Sequence, residues 1–121
     1  MKMDLQKFAK GESNLIKYSK LDIGDGNPKN LIRWFKEEGI NFQVKSGYGY
    51  NRVHATGEVQ HIGSMDELES AIVNNITKMI KNGHDLSKVN TYKINVNGYD
   101  LFYRAIKTGD GVIRVPTYFT R

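Results

Sequence analysis

The chain of 121 residues contains no cysteine. This excludes a disulfide framework, a thiol nucleophile and a zinc site of the usual thiolate kind. Proline is nearly as scarce, at two residues, and there is one tryptophan. No apolar run approaches the length needed to cross a bilayer. The opening "MKMDLQKFAKGES" has lysine but no apolar stretch of the kind a secretory leader needs. P-loop, dinucleotide-fingerprint, Gly-x-Ser-x-Gly and His-Glu-x-x-His motifs are all missing. The expectation is a cytoplasmic protein with no cofactor, no bound metal and no membrane partner.

What is present is ordinary globular material with a basic balance. Hydrophobic residues make up 39%, the formal net charge is +5, and the pI is about 9.4. A basic surface favours polyanionic partners, with RNA or another nucleic acid first.

Residues 1–26 read as a weakly structured segment, because "KLDIGDGNP" is rich in turn formers. Residues 27–121 read as a single domain. Asn27 and Pro28 predict a helix start, Leu31, Ile32 and Phe35 its apolar stripe, and Gly39 its left-handed end. "INFQVKS" alternates as a half-buried strand. Ser64 and Glu67 have the spacing of a capping box, and Leu68, Ile72, Ile76 and Met79 follow on one helical face that Gly83 closes. Asn97-Gly98 divides "TYKINVNGYDLFYRAI" into a hairpin, and "KTGDG" turns the chain into "VIRVPTYFTR". The predicted fold is α+β, with N-terminal helices packed on an antiparallel β-sheet that ends in a three-stranded meander.

A two-residue turn at Asn97-Gly98 pairs Val96 with Tyr99, Ile94 with Leu101 and Tyr92 with Tyr103. Lys93, Phe102 and Arg104 then share the other face. With the second turn at Gly109-Asp110 or at Asp110-Gly111, Thr117 and Phe119 join them, and the later register sets Thr117 opposite Arg104. Cations among aromatic rings suit a phosphate chain with stacked bases. The alternative is that Phe102, Ile106, Ile113 and Val115 make this the core face.

The stretch "RVHATGEVQHIG" raises the question of catalysis. Metal-independent RNA cleavage needs a base for the 2′-hydroxyl, an acid for the leaving oxygen and a cation for the phosphorane. His54 and His61 suit acid–base work near neutral pH, with Glu58 as a carboxylate alternative. Arg52, Arg104 and Lys107 are candidate cations, and Arg52, Lys93, Phe102 and Lys107 candidate substrate contacts. Equally, a histidine in a polar loop can be simply solvated, and His84 suits a helix C-terminal charge.

"VQHIGSMDELESAIVNNITKMIKNG", followed by "TYKINVNGYDLFYRAI" and "GVIRVPTYFTR", resembles the barnase–EndoU–colicin–RelE superfamily of small nucleases in its order of elements. The resemblance implies a small metal-independent ribonuclease, a toxin or phage effector, with an immunity protein as partner. It would make His54 or His61 the histidine before the helix, Arg104 the strand cation and Thr117 the hydroxyl of the last strand. "MKMDLQKFA" also resembles the leading residues of some phage head-region proteins. Two other readings stand beside this: an anti-CRISPR-like inhibitor of a host defence nuclease, and a nucleic-acid-binding accessory protein. The catalytic reading further predicts that His54 and His61 border a cleft shared with Arg104 and Thr117, next to the N-terminus of the capped helix.

Overall fold

A computed structural model of the chain describes residues 31–51 and 59–121 in full, and residues 18–22 by their backbone path. The element order is β1 (Tyr18–Asp22), β2 (Ile32–Glu37), β3 (Ile40–Val44), a 3-10 turn (Ser46–Tyr48), α1 (Met65–Lys81), β4 (Asn90–Val96), β5 (Tyr99–Lys107) and β6 (Ile113–Phe119). The six strands form one sheet in the order β1-β2-β3-β6-β5-β4. Each half, β1-β2-β3 and β6-β5-β4, is antiparallel, and the halves join where β3 runs parallel to β6. The α+β class holds, as does the terminal meander. The sheet is mixed rather than antiparallel, because a parallel pair needs a long crossover and the chain from β3 through α1, β4 and β5 provides one.

The expected helix before Gly39 is replaced by a strand. Its first residues, up to Asn30, lie outside the described residues, but Ile32–Glu37 pairs with Ile40–Val44 as a hairpin. Glu38 (φ 50°) and Gly39 (φ 81°) make its two-residue turn. Gly39 is therefore left-handed, as expected, but it closes a hairpin. Two residues hid the period of two. Arg33 points with Phe35 into the core, while Trp34 takes the outer face, so neither face is cleanly apolar. The pairing of Phe35 with Phe42 overrides the local helical spacing.

Helix α1 forms as its sequence dictates. Ser64 Oγ accepts from the Glu67 N–H at 3.1 Å, and Glu67 Oε1 accepts from the Ser64 N–H at 2.8 Å, which completes the capping box. At the other end Gly83 (φ 84°) is left-handed, and the N–H groups of Gly83 and His84 donate to Ile80 and Met79. These are the two bonds of a Schellman termination. Leu68, Ile72 and Ile76 are fully buried and Met79 partly so, against Phe42, Val44, Leu101 and Tyr103 from the sheet. Each such buried side chain contributes about 1.5–3 kcal/mol.

The meander follows the predicted register, with Val96, Ile94 and Tyr92 opposite Tyr99, Leu101 and Tyr103. Between β5 and β6 the register shifts. Arg104 faces Thr117, yet Ile106 faces Arg114, so Val115 and Pro116 share the space opposite Ala105. Proline cannot donate to a ladder, and in an interior strand it is accommodated at such a bulge. The bulge reverses face parity along β6. Ile113 and Val115 enter the core, whereas Thr117 and Phe119 lie with Arg104 and Phe102 on the outer face. No helix among the described residues is long and apolar enough to cross a membrane.

Candidate nucleic-acid interface

Alternation on β4, β5 and β6 builds the outer face in rows. One row sets Lys93, Phe102 and Phe119 side by side, and the next sets Thr91, Arg104 and Thr117. The Phe102 and Phe119 rings stack with centroids 6.0 Å apart and planes 17° apart. The Arg121 guanidinium lies over both, 4.8 Å from the Phe102 centroid and 5.6 Å from that of Phe119. Lys93 and Arg104 are exposed, and the two phenylalanines are half-buried. Further along, Arg114 is held by Asp110 at 2.8 Å and by Thr108. The Asp110 carboxyl is held below its ordinary range, first by its hydrogen bond from Thr108 and then by the Val112 N–H and Arg114.

Of the residues selected from sequence, Lys93, Phe102, Arg104 and Thr117 thus come together on one face. The Thr117 hydroxyl donates to the Tyr48 carbonyl at 2.7 Å, so its proton is committed to the 3-10 turn and only its lone pairs face outward. Lys107 lies elsewhere. It pairs with Ile113 at the far end of β5 and lines a cavity with His84, Asp85 and Gly111. Arg52, His54 and Glu58 lie outside the described residues.

His61 sits at the other end of the hairpin. Val59 and Ile62 are buried and anchor the turn that carries it. Asn97 Nδ2 donates to the Ile62 carbonyl at 2.8 Å, and Tyr50 Oη donates to the Gly63 carbonyl at 2.9 Å. The imidazole consequently meets the Tyr99 ring edge to face, with centroids 4.9 Å apart at 89°. Tyr99 alternates with Leu101 and Tyr103 on the helix side of β5, whereas Arg104 is on the outer side. His61 borders an open cavity of about 390 Å³, shared with Gly98, Tyr99, Asp100, Thr120 and Arg121. Arg104 and Thr117 are not among the described residues that line it.

A second polar cluster lies under the helix, and sequence reasoning did not find it. The Arg33 guanidinium reaches Asp66 and stands 3.3 Å from Glu69 Oε1. Tyr118 Oη donates to Glu69 Oε2 at 2.6 Å. Arg33, Glu69, Tyr118 and the neighbouring Ser46 are all buried. Burial raises the Glu69 carboxyl to about 7, against the opposing pull of Arg33 and the hydrogen bond from Tyr118. Burial, and then the charge of Glu69, pushes the Tyr118 phenol well up. The 3-10 turn closes over this cluster, and Gly49 lies so near the Tyr118 ring that a Cβ there would come within 2.3 Å of it. The available signal was Glu69 itself, a carboxylate at helical spacing from the buried Val73 and Ile76.

Among the described residues, no group of three or more His, Asp or Glu side chains is placed to hold a metal ion. Compared with known proteins, the chain matches no family model, no curated protein and no solved structure.

Proposed function

We propose that the protein binds single-stranded nucleic acid, RNA first, on the outer face of β4, β5 and β6. The observation that carries this is the stacked Phe102–Phe119 pair flanked by Lys93, Arg104 and Arg121. Bases stack on such rings without regard to sequence, and the cations follow the phosphates. Arg121 already occupies the ring faces. A base that takes its place releases the guanidinium towards the backbone, so one cation–π contact is exchanged for a stack and a charge-assisted hydrogen bond. The net charge of +5 supports the same reading.

Cleavage is less well supported. It needs an acid and a base beside the bound phosphate, and His61 belongs to the far end of the hairpin, on the helix side. RNA retardation as salt is raised tests the binding reading. Affinity is expected to fall steeply with salt, and Arg104→Ala to reduce the log–log slope by roughly 0.7, the value for one phosphate contact on a single strand. Phe102→Ala is expected to cost roughly 1–3 kcal/mol of binding. Absence of binding at low salt overturns the reading and favours a protein partner such as a host nuclease. Shortened RNA in the same samples revives the ribonuclease reading.

A further inference from the structure

The cavity at the tip of the β4–β5 hairpin, where Tyr99 of the helix side and Asp100 of the outer side both line the wall, has a composition that the outer face lacks. It sets one carboxylate, Asp100, among an aromatic ring, a hydroxyl residue and a cation. Tyr99 is about half exposed, and its ring packs at right angles to the His61 ring. Arg121 belongs to both places, since it lines this cavity and its guanidinium covers the Phe102–Phe119 pair. A strand following the ring row would therefore reach the cavity past Arg121.

An acidic group at the end of a basic track repels phosphate and accepts hydrogen bonds from hydroxyls. A ribose with two free hydroxyls suits it, because a carboxylate can accept from both. An aromatic ring beside it supplies a stacking surface for the attached base. Arg121 is placed between the two regions, where the phosphate of that last nucleotide would lie.

We infer that this cavity takes a terminal ribonucleotide, with its base on Tyr99, its 2′,3′-diol on Asp100 and its 5′-phosphate on Arg121. The inference rests on the nucleic-acid reading above and adds a strand end and a sugar to it. The site selects a free 3′ end of RNA, discriminates against a 3′-phosphate by charge, and discriminates against deoxyribose by the missing hydroxyl.

The test uses the whole chain and nucleotides small enough to report on the cavity alone. Adenosine 5′-monophosphate is titrated while the amide signals of His61, Tyr99 and Asp100 are followed by NMR. These signals are expected to move, and the 2′,3′-dideoxy analogue to bind roughly a hundredfold more weakly through loss of two charge-assisted hydrogen bonds. Adenosine 3′-monophosphate is expected to bind weakly to the native chain and better to Asp100→Asn, an exposed substitution compatible with the fold. Unmoved signals, equal affinity for the dideoxy analogue, or no gain for the 3′-phosphate in Asp100→Asn each overturn the inference. A circular single-stranded RNA, which has no end, reports the ring face separately. Its binding at Phe102 and Arg104, together with cavity signals unmoved by adenosine 5′-monophosphate, leaves the face reading standing and the cavity reading refuted. The opposite pattern refutes the face alone.

Discussion

The two faces of the sheet use the same residue types to opposite ends. On the helix side Arg33 is buried against Asp66 and Glu69, and Tyr118 is sealed beneath Gly49. On the outer side Arg104 is exposed, and Phe102 and Phe119 present half-buried rings. Arginine and aromatic side chains are thus structural where α1 covers them and available where it does not. Removing one member of a buried ion pair strands its partner in a medium that solvates it poorly, whereas removing an exposed cation leaves only water behind.

The sharpest test of that contrast is Arg33→Ala set beside Arg104→Ala. Loss of Arg33 is expected to destabilise the fold by roughly 3–5 kcal/mol in denaturant titration at a pH above that of the Glu69 transition near 7, where Glu69 is ionised and loses its partner. Loss of Arg104 is expected to change stability by less than about 0.5 kcal/mol. Comparable values for the two would erase the distinction between the faces.

Next in size is the dependence on pH. The Glu69 carboxyl is raised in the folded protein, from 4.5 to about 7, so the fold holds its proton more tightly than the unfolded chain does. Its contribution is full below pH 4.5 and is lost as pH rises through about 7, amounting to roughly 3 kcal/mol as an upper figure. The groups facing Glu69 are Arg33, Asp66, Ser46 and Tyr118. Asp85 and Asp110 are shifted down, so their effects belong at lower pH and with the opposite sign. Subtracting the stability profile of Glu69→Gln isolates the Glu69 contribution, and a flat difference between pH 4.5 and 7 would contradict it.

Gly49→Ala is expected to cost about 1–3 kcal/mol by overpacking the Tyr118 ring, as read from thermal or denaturant midpoints. Gly109→Ala, on the open β5–β6 turn, meets nothing within 4 Å and serves as the reference.

The parts of this fold that could be read from sequence are those with local causes. The capping box, the Gly83 termination and the Asn97-Gly98 hairpin each depend on residues a few positions apart. From the hairpin alone, alternation placed Lys93, Phe102 and Arg104 together. Strand β2 was misread because its buried Arg33 is explained only by carboxylates on α1, more than thirty residues later. The bulge had a visible mark in Pro116, but only the observation that β6 is interior gives that mark its meaning. The position of His61 before the helix was legible. Which side of the sheet it would meet was not, since the Asn97 hydrogen bond to Ile62 decides that.

The parallel pairing of β3 with β6 also has a kinetic side. The hairpins of each half need only short loops to close, but pairing Phe42 with Ile113 closes most of the described chain at once. Contacts of such separation form slowly, because chain entropy is spent before they return anything. Before that closure β3 is an open edge ending in Phe42 and Val44, the kind of edge that recruits other chains. Dilute conditions during refolding should therefore favour this protein, with the central seam the last part of the sheet to gain protection from hydrogen exchange.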